Sequence, residues 1–295
     1  ALTCVKVMLA AVVGIGICGV AAGIGAFRGI LSSTPTIRLS DVVAVGEATI
    51  VYDKEGNEID QYVSTNSNRL SVGMDEIPDY MGKAFVAIED ERFYQHNGID
   101  VKGILRAGYQ FLKTGGEEAQ GASTITQQLL KNTVFTDWTS EGSNKIKKIK
   151  RKIQEQYLAL EITKYYSKDE ILLRYMNAIN LGQNTLGVES ASLRYFGKHC
   201  SDLTLSECAV IASITQNPSK YNPIRHPEDN AVRREKCLNK MLELGFVSQS
   251  EYDEAMADTD AVYERIGLYD IDYQEANATT GSYFSDAVYE QVKQD

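Results

Sequence analysis

Between Val7 and Phe27 the chain carries no charged residue, and this run constrains the N-terminal end more than any other feature. VMLAAVVGIGICGVAAGIGAF is long enough to cross a bilayer, which needs roughly 20 apolar residues. Lys6 and Arg28 flank it on either side, so flanking charge assigns no orientation. A cleaved leader is the rival reading. The small residues of AAGIGAF suit cleavage, but leader cores usually span only about 7–15 residues. Gly19 and Gly23 form a G-x-x-x-G pair that would let two helices approach closely, although in so Gly-rich a run the match is weak.

Beyond this run the chain reads as an ordinary globular body. It has 295 residues, with 40 acidic against 30 basic side chains, for a net charge of −10. Nucleic-acid binders usually carry a basic face, so the balance argues against that class. The cysteines, Cys4, Cys18, Cys200, Cys208 and Cys237, include no C-x-x-C pair, and there are only three histidines. Neither a zinc site nor a disulfide framework is expected.

Residues 28–48 read as a linker. In 49–63, TIVYDKEGNEIDQYV, two β-prone runs flank a turn-forming stretch and predict a hairpin. After Pro78 the apolar spacing turns helical. Helical segments are expected at about 100–113, 122–133, 143–165, 168–180, 204–215 and 228–244. Gly108, Gly115 and Gly116 make 109–120 a candidate lid. The body is therefore mainly α with a small β element.

Four polar clusters stand out, three of them suited to chemistry. In EDERFYQHNG, Glu89, Asp90 and Glu91 follow the apolar stretch AFVAI. Crowded carboxylates beside apolar cover raise one another's pKa, which suits a general base. In GASTITQQLLKN, Ser123 could cap a helix starting at Thr124, with Gln127, Gln128 and Lys131 on its next turns. In KIKKIKRKIQE, Arg151 and Lys152 stand one turn before Glu155 and would hold it ionised. One carboxylate raised and one depressed is how two acids take different roles in one site. The basic run also calls for an anionic partner, a diphosphate or anionic lipid headgroups. In SKDEILLRYMN, Ser167 and Glu170 form a capping box, which is structural.

Taken in order, these blocks resemble those of the family 51 peptidoglycan glycosyltransferases, the polymerase domain of class A penicillin-binding proteins. GVESASLRYFGK (187–198) and NPSKYNPIRHPEDNAVRR (217–234) extend the match over roughly residues 70–245. The resemblance implies a lysozyme-like α-helical fold and inverting transfer between lipid-linked sugars. By position, Glu89 resembles the base that deprotonates the acceptor 4-hydroxyl, and Glu155 the carboxylate that assists the departing diphosphate. Arg92, Ser123, Thr124, Gln127, Gln128, Lys131, Arg151 and Lys152 match substrate-binding positions.

Two features depart from the family pattern. Leu173 stands where many members have Glu. The segment from Thr133 to Lys150 is longer than usual and holds the only tryptophan, Trp138.

The implied organisation is an anchor at 1–30, linker and hairpin at 31–70, and a glycosyltransferase domain at 71–250. Residues 251–295 would lead toward a transpeptidase domain that the chain does not contain, since no S-x-x-K occurs in it. The expected setting is the cell membrane, crossed once, with the catalytic domain outside the cytoplasm. Lipid II, the growing lipid-linked glycan, the membrane and cell-wall synthesis proteins are the expected partners. No cofactor is required by the sequence, although a divalent ion, Mg or Mn, could bridge Glu155 and a diphosphate. Two other readings stand beside this one: a lysozyme-like lytic enzyme acting on glycan, and a non-catalytic membrane-anchored scaffold.

Overall fold

The computed structural model describes residues 18–42, 49–52, 54, 58–62, 69–114, 121–136, 138 and 142–267. The expected anchor falls only partly within them. Residues 18–32 form helix α1, exposed until its last turn, and the rest of the uncharged run lies outside the described residues. Among the described residues no helix is long and apolar enough to cross a membrane. Strands β1 (Thr49–Tyr52) and β2 (Glu58–Tyr62) form an antiparallel pair, with Thr49 opposite Tyr62 and a register shift after Val51.

The body is a stack of short helices. Helix α2 (Asp79–Glu89) starts after Pro78, whose fixed φ suits a helix entry. It buries Met81, Ala84, Phe85, Val86 and Ala87, each large side chain worth about 1.5–3 kcal/mol. Helices α3 (Val101–Lys113), α4 (Ile125–Thr133), α5 (Lys145–Ile162) and α6 (Lys168–Ala178) follow. Then come α7 (Val188–Phe196), α8 (Leu205–Ala212) and α9 (Pro227–Glu243). Every residue of α8 is buried, and α2 and α9 both pack on it. Helix α4 lies between α5 and α6. Phe85 and Tyr175 meet edge-to-face at 5.5 Å, tying α2 to α6.

The expected helices appear with shifted ends. The helix expected from 122 begins at Ile125, because Thr124 rather than Ser123 is the cap. Thr124 accepts from the Gln127 amide while the Gln127 side chain returns to the Thr124 N–H. Ser167 and Glu170 form the expected capping box. Helices α10 (Gln249–Ala257) and α11 (Thr259–Glu264) pack on α8 and α9 with Ala255 and Val262 buried. The packed body thus continues past 250. Leu173 packs against the core half-buried, consistent with an apolar residue at that position.

Residues 115–120 of the candidate lid, and the tail from 268 onward, lie outside the described residues. Cys200, Cys208 and Cys237 are buried free thiols, and burial pushes all three up, Cys237 to about 12. They are packing residues.

Candidate functional site

Glu89 is the last residue of α2, at the floor of a cleft of about 370 Å³ lined also by Ser123, Gln128, Gln216, Arg233 and Lys240. Its side chain is 12% exposed. Three donors reach it from three elements. Gln128 Nε2 of α4 donates to Oε2 at 2.8 Å. Thr215 Oγ1, just past α8, donates to Oε1 at 2.6 Å, and Arg233 of α9 donates to the same oxygen at 2.7 Å. Arg233 is itself fixed by the Ser213 carbonyl at 3.0 Å and Gln216 Oε1 at 2.7 Å. Gln128 is held from behind by the buried Tyr175 hydroxyl, which donates to its Oε1 at 3.3 Å. An ionised carboxylate offers about four acceptor sites, so three donors leave one to a substrate hydroxyl.

The neighbouring acids do not crowd Glu89 as the sequence reading assumed. The chain leaves helical geometry at Asp90, and each carboxylate turns to its own partners. Asp90 is buried. Its two oxygens lie 2.9 and 3.0 Å from His96 Nε2, and Oδ2 accepts from the Ile125 amide at the start of α4. Glu91 faces Arg106 at 2.7 Å and Arg92, and these guanidiniums, Arg106 foremost, hold its carboxyl below the usual range.

A latch fixes α4 beneath the cleft. Gly98 takes a left-handed φ of 90°, and the Ala159 backbone of α5 occupies the space a Cβ would need, so only glycine fits. The Gly98 carbonyl accepts from Thr124 Oγ1 at 2.7 Å. The loop after Glu89 is thereby pinned between α4 and α5.

Glu155 lies on α5 with its side chain 0% exposed, paired with Arg151 and with Lys152 Nζ at 2.9 Å. Lys152 also donates to Ser123 Oγ at 3.0 Å. Gln154 reaches the Ile30 carbonyl and Ser33 Oγ, both at 3.3 Å, so the end of α1 docks beside this turn. Lys131 is half-buried on α4, its Nζ 4.3 Å from the Trp138 ring centroid. Burial, reinforced by the nearby Lys152, pulls its pKa down, while Glu155 and Glu89 both oppose that shift. Lys131 thus lies in the field of both glutamates.

Gln128, Ser123, Lys131, Arg151 and Lys152 gather around the two glutamates. Three other expected binding residues do not reach Glu89. Thr124 and Gln127 are buried in the α4 cap. Arg92 is tied to Asp100 by two contacts, at 2.6 and 3.3 Å, and to Glu91. Sequence reasoning missed Thr215, Tyr175 and Arg233 as partners of the Glu89 centre. NPSKYNPIRHPEDNAVRR had flagged the region of Arg233, but nothing local pairs it with a residue 144 positions away. A divalent ion fits poorly at Glu155, because Arg151 and Lys152 already face its two oxygens. Among the described residues no cluster of His, Cys, Asp and Glu could hold a metal.

Comparison with known proteins agrees with these blocks. A family model described as Transglycosylase matches residues 55–242. Penicillin-binding protein 1A of Clostridium botulinum is 39% identical over 287 residues, covering 95% of this chain and 33% of that protein. Penicillin-binding protein 1F of Bacillus subtilis is 40% identical over 201 residues, 68% of this chain and 27% of that protein. The chain therefore spans about a third of the length of such relatives. A crystal structure of penicillin-binding protein 1A from Haemophilus influenzae aligns over 72% of this chain and 20% of its own, at 23% identity and a TM-score of 0.37.

Proposed function

The chain belongs to the transglycosylase family, and from that premise we propose that it polymerises lipid II into β-1,4-linked glycan strands with release of undecaprenyl diphosphate. The reading rests chiefly on one observation: α4 and the residue just before its cap together touch both carboxylate centres. Gln128 holds Glu89, and Ser123 holds the Lys152 that pairs with Glu155.

The acceptor 4-hydroxyl takes the open acceptor site of Glu89 and attacks the anomeric carbon of the donor. A C–O bond forms to the acceptor while the bond to the diphosphate breaks with its electron pair, and the configuration inverts. The hydroxyl proton passes to Glu89. A positioned base contributes roughly 10²–10⁴-fold to such a step. Negative charge grows on the departing diphosphate, and Lys131, Arg151 and Lys152 are the cations to meet it. Glu155 acts through Arg151 and Lys152, keeping one guanidinium and one ammonium group aligned from inside α5. The uncharged N-terminal run holds the body at the outer face of the cell membrane.

The test is labelled lipid II incubated with the full chain and scored for polymer on a gel, with and without muramidase. Muramidase-sensitive polymer is expected. Release of fragments from purified sacculi in place of polymer would overturn the reading in favour of a lytic enzyme.

A further inference from the structure

Arg151 and Lys152 spend their charge on Glu155, and Lys131 does not. Among the described residues the Lys131 side chain makes no hydrogen bond and no ion pair. Its ammonium lies instead over the Trp138 ring, 4.3 Å from the centroid. The setting works against its charge. Burial foremost, then Lys152 and, less strongly, Arg151, favours the neutral amine. Glu155 and Glu89 favour the ammonium, but neither pairs with it directly. An aromatic face attracts a cation without bringing a counter-charge. A carboxylate in that place would hold the ammonium too, but it would cancel the charge that a diphosphate needs to meet.

The place of the ring follows from the end of α4. The Val134 and Phe135 amides both donate to the Leu130 carbonyl, at 2.9 and 3.1 Å, and the Trp138 amide donates to the Phe135 carbonyl at 3.0 Å. Leu130 is fully buried, and Phe135 packs half-buried against the core. Lys131 and Trp138 therefore stand at the two ends of one hydrogen-bonded corner, and the corner is anchored in the core. Trp138 is the only tryptophan. It belongs to the stretch from Thr133 to Lys150 that departs from the family pattern, so no family block assigns it a role.

We propose that Trp138 is a positioning residue of the donor site: its ring face keeps the Lys131 ammonium charged and fixed where the leaving diphosphate gathers negative charge. An ammonium has three donors, and a ring engages it from one side, so the other side stays free for phosphate oxygens. The contact matters most as the bond to the diphosphate breaks, when the charge that Lys131 meets is largest. The inference rests on the donor-site reading of Lys131 given above, and it adds a residue that acts on the diphosphate only through that lysine.

The experiment compares the full chain with Trp138→Leu, which keeps apolar cover and removes the ring, and with Trp138→Phe, which keeps a weaker ring. Trace acetic anhydride labels Lys131 across pH, and mass spectrometry reads the acetylated fraction. A cation–π contact shifts an equilibrium roughly two- to thirtyfold. The alkaline midpoint of labelling should therefore fall in Trp138→Leu by roughly half to one and a half pH units. In Trp138→Phe it should fall less, and that variant alone decides the matter should Trp138→Leu fold poorly. Excess inorganic pyrophosphate should protect Lys131 from labelling in the parent and less so in Trp138→Leu, and with lipid II the substitution should lower kcat more than it raises KM. An unmoved midpoint, an equal fall in both variants, or no protection by pyrophosphate in the parent would overturn the proposal. The labelling needs no turnover, so the two readings fail separately. A parent chain that shows the shift and the protection but makes no polymer would sink glycosyl transfer alone, and polymer made without the shift would sink the role of Trp138 alone.

Discussion

The two glutamates are held in opposite ways. Glu89 ends a helix, touches the cleft, and takes its donors from residues 39, 126 and 144 positions away in the chain. Glu155 sits inside a helix, is closed to solvent, and takes its cations from three and four positions earlier. The first arrangement leaves an acceptor site open to a reactant. The second neutralises a buried charge and aligns its neighbours. A many-sided cradle that opens on a cleft suits proton transfer, whereas a sealed local pair suits holding cations in place.

The sharpest way to break this comparison is Glu89→Gln. It keeps the shape and removes the base, so polymerisation of lipid II should fall by roughly 10²–10⁴-fold with binding largely kept. A rate within a few-fold of the parent would end the assignment and move attention to Glu155.

Glu155→Gln should act first on stability. It strands Arg151 and Lys152 around a neutral amide, and breaking a buried pair costs about 3–5 kcal/mol. A denaturation midpoint that falls clearly is expected. An unchanged midpoint with activity lost as deeply as in Glu89→Gln would erase the distinction between the two centres.

Arg233→Lys tests whether the cradle of Glu89 needs a fork that spans three acceptors. Arg233 meets Glu89, Gln216 and the Ser213 carbonyl at once, and an ammonium lacks that geometry. Losing one charge-assisted bond corresponds to about 1.5–3 kcal/mol. Turnover should drop by tens-fold while lipid II binding changes less. Equal losses in both would make Arg233 a binding residue.

Lys131 gives the smallest effect and a sign that can be checked. Burial and Lys152 lower its pKa from the ordinary 10.5, so it loses charge earlier than an exposed lysine as pH rises. Affinity for a diphosphate mimic, measured by titration, should therefore weaken before pH reaches the ordinary lysine range. The stability contribution runs the other way. The folded state binds the proton less tightly than the unfolded chain, so stability from this group increases with pH across the window between the lowered value and 10.5. Lys131→Ala should remove both trends.

The legible parts of the site were those with short sequence range. Arg151, Lys152 and Glu155 are helical neighbours, so their pairing could be read from spacing alone. Ser167 and Glu170 were equally local. The error at Ser123 was one residue, because two adjacent hydroxyls can each cap a helix. Gly98 and Lys152 decide between them by engaging Thr124 and Ser123 respectively. The surroundings of Glu89 were misjudged for the opposite reason. Adjacency in sequence suggested that three acids crowd together, yet each leaves the chain in its own direction toward a different partner.

The sequence by itself determined most of the helices, the family, and where two candidate glutamates stand in their motifs, because periodicity, capping and motif order are written within a few tens of residues. Only the tertiary structure decided that Asp90 serves as the anchor of α4, that Arg92 is spent on Asp100, and that Arg233 and Thr215 complete the cradle of Glu89. The reason is physical: a hydrogen bond reports nothing of its partner until packing brings α2, α4, α8 and α9 within about 3 Å of one another's polar atoms.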